Sequence, residues 1–269
     1  MIRESVFAGQ FYSKDKNLLI KQIESFLKGK NLKCEHQAKG LVLPHAGYLY
    51  SGEVAAITIA SFKLADIIVI LGTNHTGWGK RASLSTADMW ATPLGKVKVN
   101  QELSSKILEK TTYIKKDNQA HRLEHSIEVQ LPLLQYIKKD FEIIPIVVSP
   151  FDINSYIKIG KELAEVIKSS SHKVTIIASS DLTHYEPQQI AQKKDQVAIE
   201  SIIELNTKKL LDNLKKMHIS MCGYAPTSVM IETIKNFSIK GAELVRYQTS
   251  GDVTGDYSQV VGYAGIGIY

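Results

Sequence analysis

Only two cysteines, Cys34 and Cys222, occur in the 269 residues, too few to staple a chain of this length as a disulfide scaffold. No apolar run approaches the roughly 20 residues that span a bilayer, and the amino-terminal MIRESVFAGQFYS lacks the long apolar core of a secretory signal. These absences predict a cytoplasmic protein without a membrane segment. Zinc-finger spacing and RNA-binding signatures are missing as well. The net charge of +6 and pI near 9.0 therefore do not point to nucleic acid. The lysines come in scattered pairs such as Lys115-Lys116 and Lys208-Lys209, several on expected helices, where a solvated face accounts for them. Such a field attracts an acidic small molecule or peptide without identifying it. No linker, repeat or low-complexity stretch breaks the chain, and its length supports a sizeable core, so residues 1–269 are expected to form one domain.

What is present is a recurring arrangement of strand and histidine. Leu41-Val42-Leu43 reads as a buried strand, and Pro44, which cannot donate to a ladder, should end it. His45 follows on a turn of small residues. Asp66–Gly72 (DIIVILG) is a second such strand, leading to Thr73-Asn74-His75, and Lys173–Ser179 (KVTIIAS) is a third, leading to Asp181 and His184. In open α/β sheets ligands bind beyond the carboxyl ends of parallel strands, so three histidines at three such ends suggest a common site.

The remaining pattern alternates helices with strands. Helices are expected over 17–28, 52–62, 101–110 with Asn100 as N-cap, 124–137, 154–168, 187–205, 207–216 and 225–236. Pro132 should kink the 124–137 helix or mark its real start. Short strands are expected at 82–87 and 95–99, and others at 141–149, 243–249 and 259–268. Pro145 suggests an edge or a bulge in the 141–149 strand. The glycines of QVVGYAGIGI suggest close approach of another backbone. The segment 5–12 should pack on the core, and the polar stretch TSGDVTGDY suits a loop over an active site. The fold class that follows is α/β, with a predominantly parallel central sheet covered by helices on both faces.

Cys222 precedes an expected helix start, where a thiolate is stabilised and its pKa lowered. Two imidazoles and one thiolate suit iron, zinc or copper, and three protein ligands leave positions open. His184 could be a third histidine ligand or a general acid/base whose tautomer Asp181 fixes. The run His121-Arg122-Leu123-Glu124-His125 matches the H-x-x-E-H pattern of inverted zinc peptidases, a short pattern that leaves the strand-end histidines unexplained. Glu124 and His125 can instead line the same pocket behind the ligands. Tyr48, Tyr50, Trp78 and Tyr224 lie beside these residues, as pocket lining or as ordinary packing.

The ordered set AGQFY, PHAGYLYSG, ILGTNH, ATPLG, EHSIEVQLP, SSDLTHY, CGYAP and TSGDVTGDYSQVVGYAG resembles the Memo-like family, including its prokaryotic members called AmmeMemoRadiSam system protein B, over nearly the whole chain. The resemblance implies a single-domain α/β/α sandwich like that of class III extradiol dioxygenases. It implies that His45, His75 and Cys222 are metal ligands, and that Asp181 and His184 belong to the pocket. Extradiol dioxygenases hold iron with two histidines and a glutamate; here a cysteine stands in the carboxylate's place, as is usual in the Memo-like family. The implied cofactor is iron, with zinc or copper as alternatives, and the implied chemistry is redox or dioxygen-linked action on a small substrate. Association with a radical-SAM protein and an AMMECR-type protein is implied by the family name. A non-catalytic peptide- or protein-binding module and a zinc hydrolase are the competing readings.

Overall fold

Alternation of apolar side chains along buried strands sets the architecture of the computed structural model, which describes residues 1–32 and 34–269. In chain order the elements are β1 (Ile2–Arg3), α1 (Lys16–Leu27), β2 (Gly40–Leu43), α2 (Tyr48–Ala60), β3 (Ile67–Thr73), β4 (Ala82–Leu84), β5 (Met89–Thr92), β6 (Gly95–Val99), α3 (Gln101–Lys110) and β7 (Lys115–Lys116). They continue with α4 (Gln130–Ile137), β8 (Glu142–Val148), α5 (Ile153–Ser169), β9 (Val174–Ser179), β10 (His184–Glu186), α6 (Gln188–Ile203), α7 (Thr207–Met217), α8 (Tyr224–Ile234), β11 (Ala242–Thr249), α9 (Gly251–Thr254) and β12 (Val260–Ile268).

The centre of the sheet runs β6-β8-β3-β9-β2-β12. Its β6, β8, β3, β9 and β2 pairings are parallel, and β12 closes antiparallel against β2 with β11 antiparallel beyond it. The sheet is therefore mixed but mostly parallel, with helices on both faces. Val69 and Leu71 of β3 join a core with α3, α5, α6, α7 and α8, while Ile68 and Ile70 join a second core with α1, α2 and α4. The period-two alternation of a strand divides the apolar residues between the two faces.

Several elements differ from the sequence reading. β9 inserts between β2 and β3, so the first two strands are parallel without being neighbours. Helix α2 begins at Tyr48 rather than Gly52. The expected 124–137 helix starts only at Gln130, and Pro132 falls in its first turn, where a backbone N–H has no intrahelical partner to lose. β8 is an interior strand despite Pro145: it pairs with β6 at Ile143, with β4 from Ile146, and with β3 throughout. The carbonyl of Pro145 accepts from Ser85 N at 3.1 Å. Its missing N–H thus faces the gap where one neighbour ends and the next begins, and no ladder bond is lost. A Cβ on Gly265 would lie 1.8 Å from Thr58 Oγ1 and 3.2 Å from Val54 O, and one on Gly262 1.8 Å from Asp195 Oδ2, so the glycines of β12 admit side chains of α2 and α6 and, at Gly265, the α2 backbone as well. Within TSGDVTGDY, residues Gly251–Thr254 form the single turn α9.

The segment 5–12 is fastened by one buried carboxylate. Glu128 accepts from Val6 N at 3.0 Å, Phe7 N at 2.8 Å and Tyr12 Oη at 2.7 Å, and pairs with the Arg3 guanidinium. Glu128 is fully buried and Arg3 nearly so. Removing one partner of a buried pair leaves an uncompensated charge, at a cost of about 3–5 kcal/mol. Glu128→Ala should lose stability of that size in denaturant unfolding. A loss below about 1 kcal/mol, the range of exposed ion pairs, would show that the carboxylate does not hold this segment.

Candidate metal centre

The register of β2, β9 and β3 brings the expected histidines together. Leu43 is level with Ser179, and Leu71 with Ala178, so the chain leaves β2 and β3 at the same rim of the sheet. His45 and His75 each follow their strand by two residues. Their ring centroids are 5.0 Å apart, the planes nearly perpendicular. His125 arrives from the opposite side, on turns rather than a helix between 121 and 129. It stacks on His75 at 4.5 Å and lies 5.3 Å from His45. One ring nitrogen from each of His45, His75 and His125 lies within 4.8 Å of the others.

Cys222 joins from the start of α8. A Cβ on its neighbour Gly223 would stand 2.4 Å from Ser179 O, so only glycine lets the 222–223 backbone approach β9 this closely. Cys222 Sγ lies 3.2 Å from His45 Nε2 and accepts from Asp181 N at 3.2 Å. Donor atoms sharing one ion at roughly 2.0–2.3 Å stand about 3–3.7 Å apart at tetrahedral or octahedral angles. The His45–Cys222 spacing fits that range, and soft thiolate with imidazole fits iron, zinc or copper.

The surrounding groups each have an assignable contact. Glu124, almost fully buried, accepts from His75 N at 2.7 Å and Ser126 N at 2.9 Å, and its Oε1 is 2.9 Å from His75 Nδ1. His75 Nδ1 therefore carries a proton and donates it to the carboxylate. Asp181 accepts from His45 N at 2.8 Å. The expected Asp181 contact to the His184 ring is not made; His184 Nδ1 donates instead to Ser220 O at 2.9 Å. His121 turns away, with Nε2 2.9 Å from Ser83 O and its ring edge-on to Trp90. The peptidase pattern thus fails: its residues lie on turns, and its first histidine is outside the cluster.

Burial controls the charges. It lowers the pKa of His45 to about 3, with His75 adding to the effect. It lowers that of His125 to about 3, helped by His45. Burial alone would raise Glu124, but the His75 and Ser126 donors bring it down to about 2. Cys222 was expected to have a lowered pKa at the helix start. Burial raises it instead, and the neighbouring Asp181 carboxylate adds to the rise. Asp181 is itself raised by burial, against the donor from His45 N. Without a metal, burial holds Cys222 as a thiol and His45 and His125 as neutral imidazoles.

Some site residues escaped the sequence reading. Phe11 packs at a tilt against His125 at 4.4 Å and Phe7 meets it edge-on at 5.5 Å, so the amino-terminal segment walls the centre. The glycine-aromatic run AGQFY was the available signal. Gln130 and Ser179, buried beneath His45, gave none. Among the aromatics, Tyr48 is a core residue whose hydroxyl donates to Val129 O at 2.7 Å, Tyr224 packs against the core, and Trp78 is exposed. No helix among the described residues is long and apolar enough to cross a membrane.

A family model described as "Memo-like protein" matches residues 3–267. Curated relatives named "MEMO1 family protein" include one from Methanococcoides burtonii, 42% identical over 266 residues that cover 98% of this chain and 99% of the relative. One from Aquifex aeolicus is 42% identical, covering 98% of each. One from Methanocaldococcus jannaschii is 40% identical over 280 residues, covering 98% and 97%. An uncharacterized protein of Escherichia coli K12, whose crystal structure is solved, is similar in fold, with a TM-score of 0.57 at 10% identity over 86% of this chain and 99% of that one.

The two depressed histidines tie stability to pH. Below the ordinary pKa of 6.5 the unfolded chain takes up protons that folded His45 and His125 refuse down to about 3, so their contribution is complete above pH 6.5 and is lost as pH falls. Glu124 acts in the same direction between 4.5 and about 2, while Asp181, raised, acts against it. Metal-free protein should lose about 2 to 4 kcal/mol between pH 7 and pH 5, measured by urea unfolding. The slope should flatten in His125→Gln. A stability independent of pH over that interval would contradict the neutral, buried state of both rings.

Proposed function

The chain belongs to the Memo-like family, and on that footing we propose that it is a non-haem metal protein, its ion iron by preference, held by His45, His75 and Cys222 and serving redox or dioxygen-linked chemistry on a small substrate. The observation that carries this reading is the 3.2 Å approach of Cys222 Sγ to His45 Nε2 beside a cluster of three imidazoles. A bound ferrous ion supplies one-electron exchange and open coordination positions.

The protein's own groups have separable tasks. Glu124 orients His75 through both its backbone N–H and its Nδ1, the outer contact that metal-bound histidines commonly make. Asp181 fixes the His45 backbone and directs its own N–H at Cys222. His184, with Nδ1 tied to Ser220 O, has Nε2 available as general base or acid for a substrate proton. His125, packed between Phe11 and His75, stands as the third imidazole of the cluster and can complete the ligand set or border it. Cys222 must lose its proton to bind, so loading the site releases a proton and weakens as pH falls.

Zinc in the same ligands would move the chemistry towards hydrolysis, since imidazole and thiolate accept either ion. A binding module would keep its partner after loss of His45 and Cys222. Association with AMMECR-type and radical-SAM proteins is the partner reading, checked by co-purification of the three.

Metal content after anaerobic purification decides among these. Near-stoichiometric iron in the parent, lost in Cys222→Ser, is the expected result. Glu124→Gln should bind the same ion about 10–100-fold more weakly. Stoichiometric zinc lost in Cys222→Ser would keep the site and favour the hydrolase. No metal in the parent after reconstitution with iron, zinc and copper would overturn the proposal.

A further inference from the structure

Beneath His45 lies a buried polar cluster whose hydrogen-bond directions can be worked out atom by atom. Ser179 Oγ is 2.6 Å from Ser126 O, 3.0 Å from Gln130 Nε2 and 2.9 Å from His45 Nδ1. Ser126 O is a carbonyl and can only accept, so the one hydroxyl proton of Ser179 points at it. Gln130 presents its amide nitrogen to Pro44 O at 2.9 Å, another pure acceptor. That contact fixes which way the amide faces and directs its second proton to Ser179 Oγ. Ser179 has then given its only proton, and its remaining lone pair accepts from His45. The proton of neutral His45 therefore sits on Nδ1, and Nε2 keeps its lone pair.

We propose that Ser179 is a positioning residue that fixes His45 as the Nδ1–H tautomer and so aims the Nε2 lone pair at Cys222. This deepens the metal-site reading and rests on it for its purpose, though not for its geometry. The assignment also settles the His45–Cys222 contact. Nε2 carries no proton, so it can only accept from the thiol across the 3.2 Å; the thiol's other acceptor, Asp181 O, is farther off at 3.6 Å, and Asp181 N donates to the sulfur. The site is set for an incoming cation before one arrives: the imidazole needs no tautomer change, and one proton, the thiol's, must leave.

The anchor is rigid. Ser179 ends a strand flanked by β2 and β3, and its carbonyl accepts from Thr73 Oγ1 at 3.1 Å. Ser126, which receives the hydroxyl, is in turn tied to β3 through Oγ to Thr73 O at 2.9 Å. Ser179, Ser126 and Gln130 are all fully buried, so water does not compete for these bonds.

The test is long-range nitrogen–proton NMR of the histidine rings in metal-free protein near pH 7.5. The parent should show His45 protonated at Nδ1; protonation at Nε2 in the parent would overturn the proposal whether or not any variant folds. Ser179→Ala should shift the proton to Nε2 and weaken binding of Co²⁺, followed by its thiolate charge-transfer absorption, about 10–100-fold. Gln130→Leu removes the other donor to Ser179 and should leave the tautomer at Nδ1. Retention of Nδ1–H with unchanged Co²⁺ affinity in Ser179→Ala would overturn the proposal. Because the tautomer is read without metal, a parent that shows Nδ1–H and switches in the variant supports the positioning role even if Co²⁺ fails to bind, an outcome that would count only against the metal-site reading.

Discussion

Three parallel strands held in register are the constraint from which the centre follows. Ladder bonds between β2, β9 and β3 fix where each chain emerges, to within the spacing of a single residue. A slip of one residue in β9 would turn Ser179 to the other face and leave both Ser126 O and His45 Nδ1 without a partner. An unpaired buried polar group costs about 1–3 kcal/mol, so the site's hydrogen bonds reinforce the register that creates them. Sheet and site specify each other.

The same burial determines the charge state. Three imidazoles within 4.8 Å could not all be protonated in a dry environment without strong repulsion. The fold avoids this by keeping His45 and His125 neutral and placing one ionised carboxylate, Glu124, against His75. Cys222 follows the same logic from the other side, because a thiolate there would face Asp181 without compensation. A divalent cation would keep the imidazoles neutral by taking up their lone pairs and would reverse only the thiol's preference, by deprotonating it. The centre is thus at rest without a cation yet composed of groups that a cation would reorganise little.

The positions of His45, His75 and Cys222 were legible because local rules reported them. Apolar runs ended in Pro44 or in polar turns, and Cys222-Gly223 preceded a helix start. The mostly parallel sheet was legible for a related reason, since fully buried strands read as continuous apolar runs. The role of Ser179 was not, because an apolar strand's terminal serine looks the same whether it faces solvent or an imidazole. The spacing of His125 from His121 suggested one helix face and a peptidase pattern, with a place for His125 behind the ligands as the alternative. The chain instead makes turns and sends the two rings to different environments. Pro145 misled for the opposite reason: the ladder-donor rule assumes an unbroken neighbour on each side, whereas β6 and β4 share one side of β8 and leave a gap between them. In each case the decisive partner was distant in sequence, and local pattern carries no information about it.

These details bear on whether the centre is built for an ion or merely tolerates histidines. Packing alone would be satisfied by apolar rings in place of the imidazoles, since every buried ring nitrogen needs a partner. Here His75 and His184 each tie Nδ1 to a fixed acceptor, and His45 has Nδ1 against Ser179. The nitrogen that remains on His45 meets only a thiol. A surface for peptide binding does not by itself require these Nδ1 contacts or the approach of a thiol to His45 Nε2. A cation would supply a reason, because it would take up the lone pair that otherwise meets only the thiol. On this argument the competing binding-module reading must explain the hydrogen bonds behind the histidines, not only the histidines.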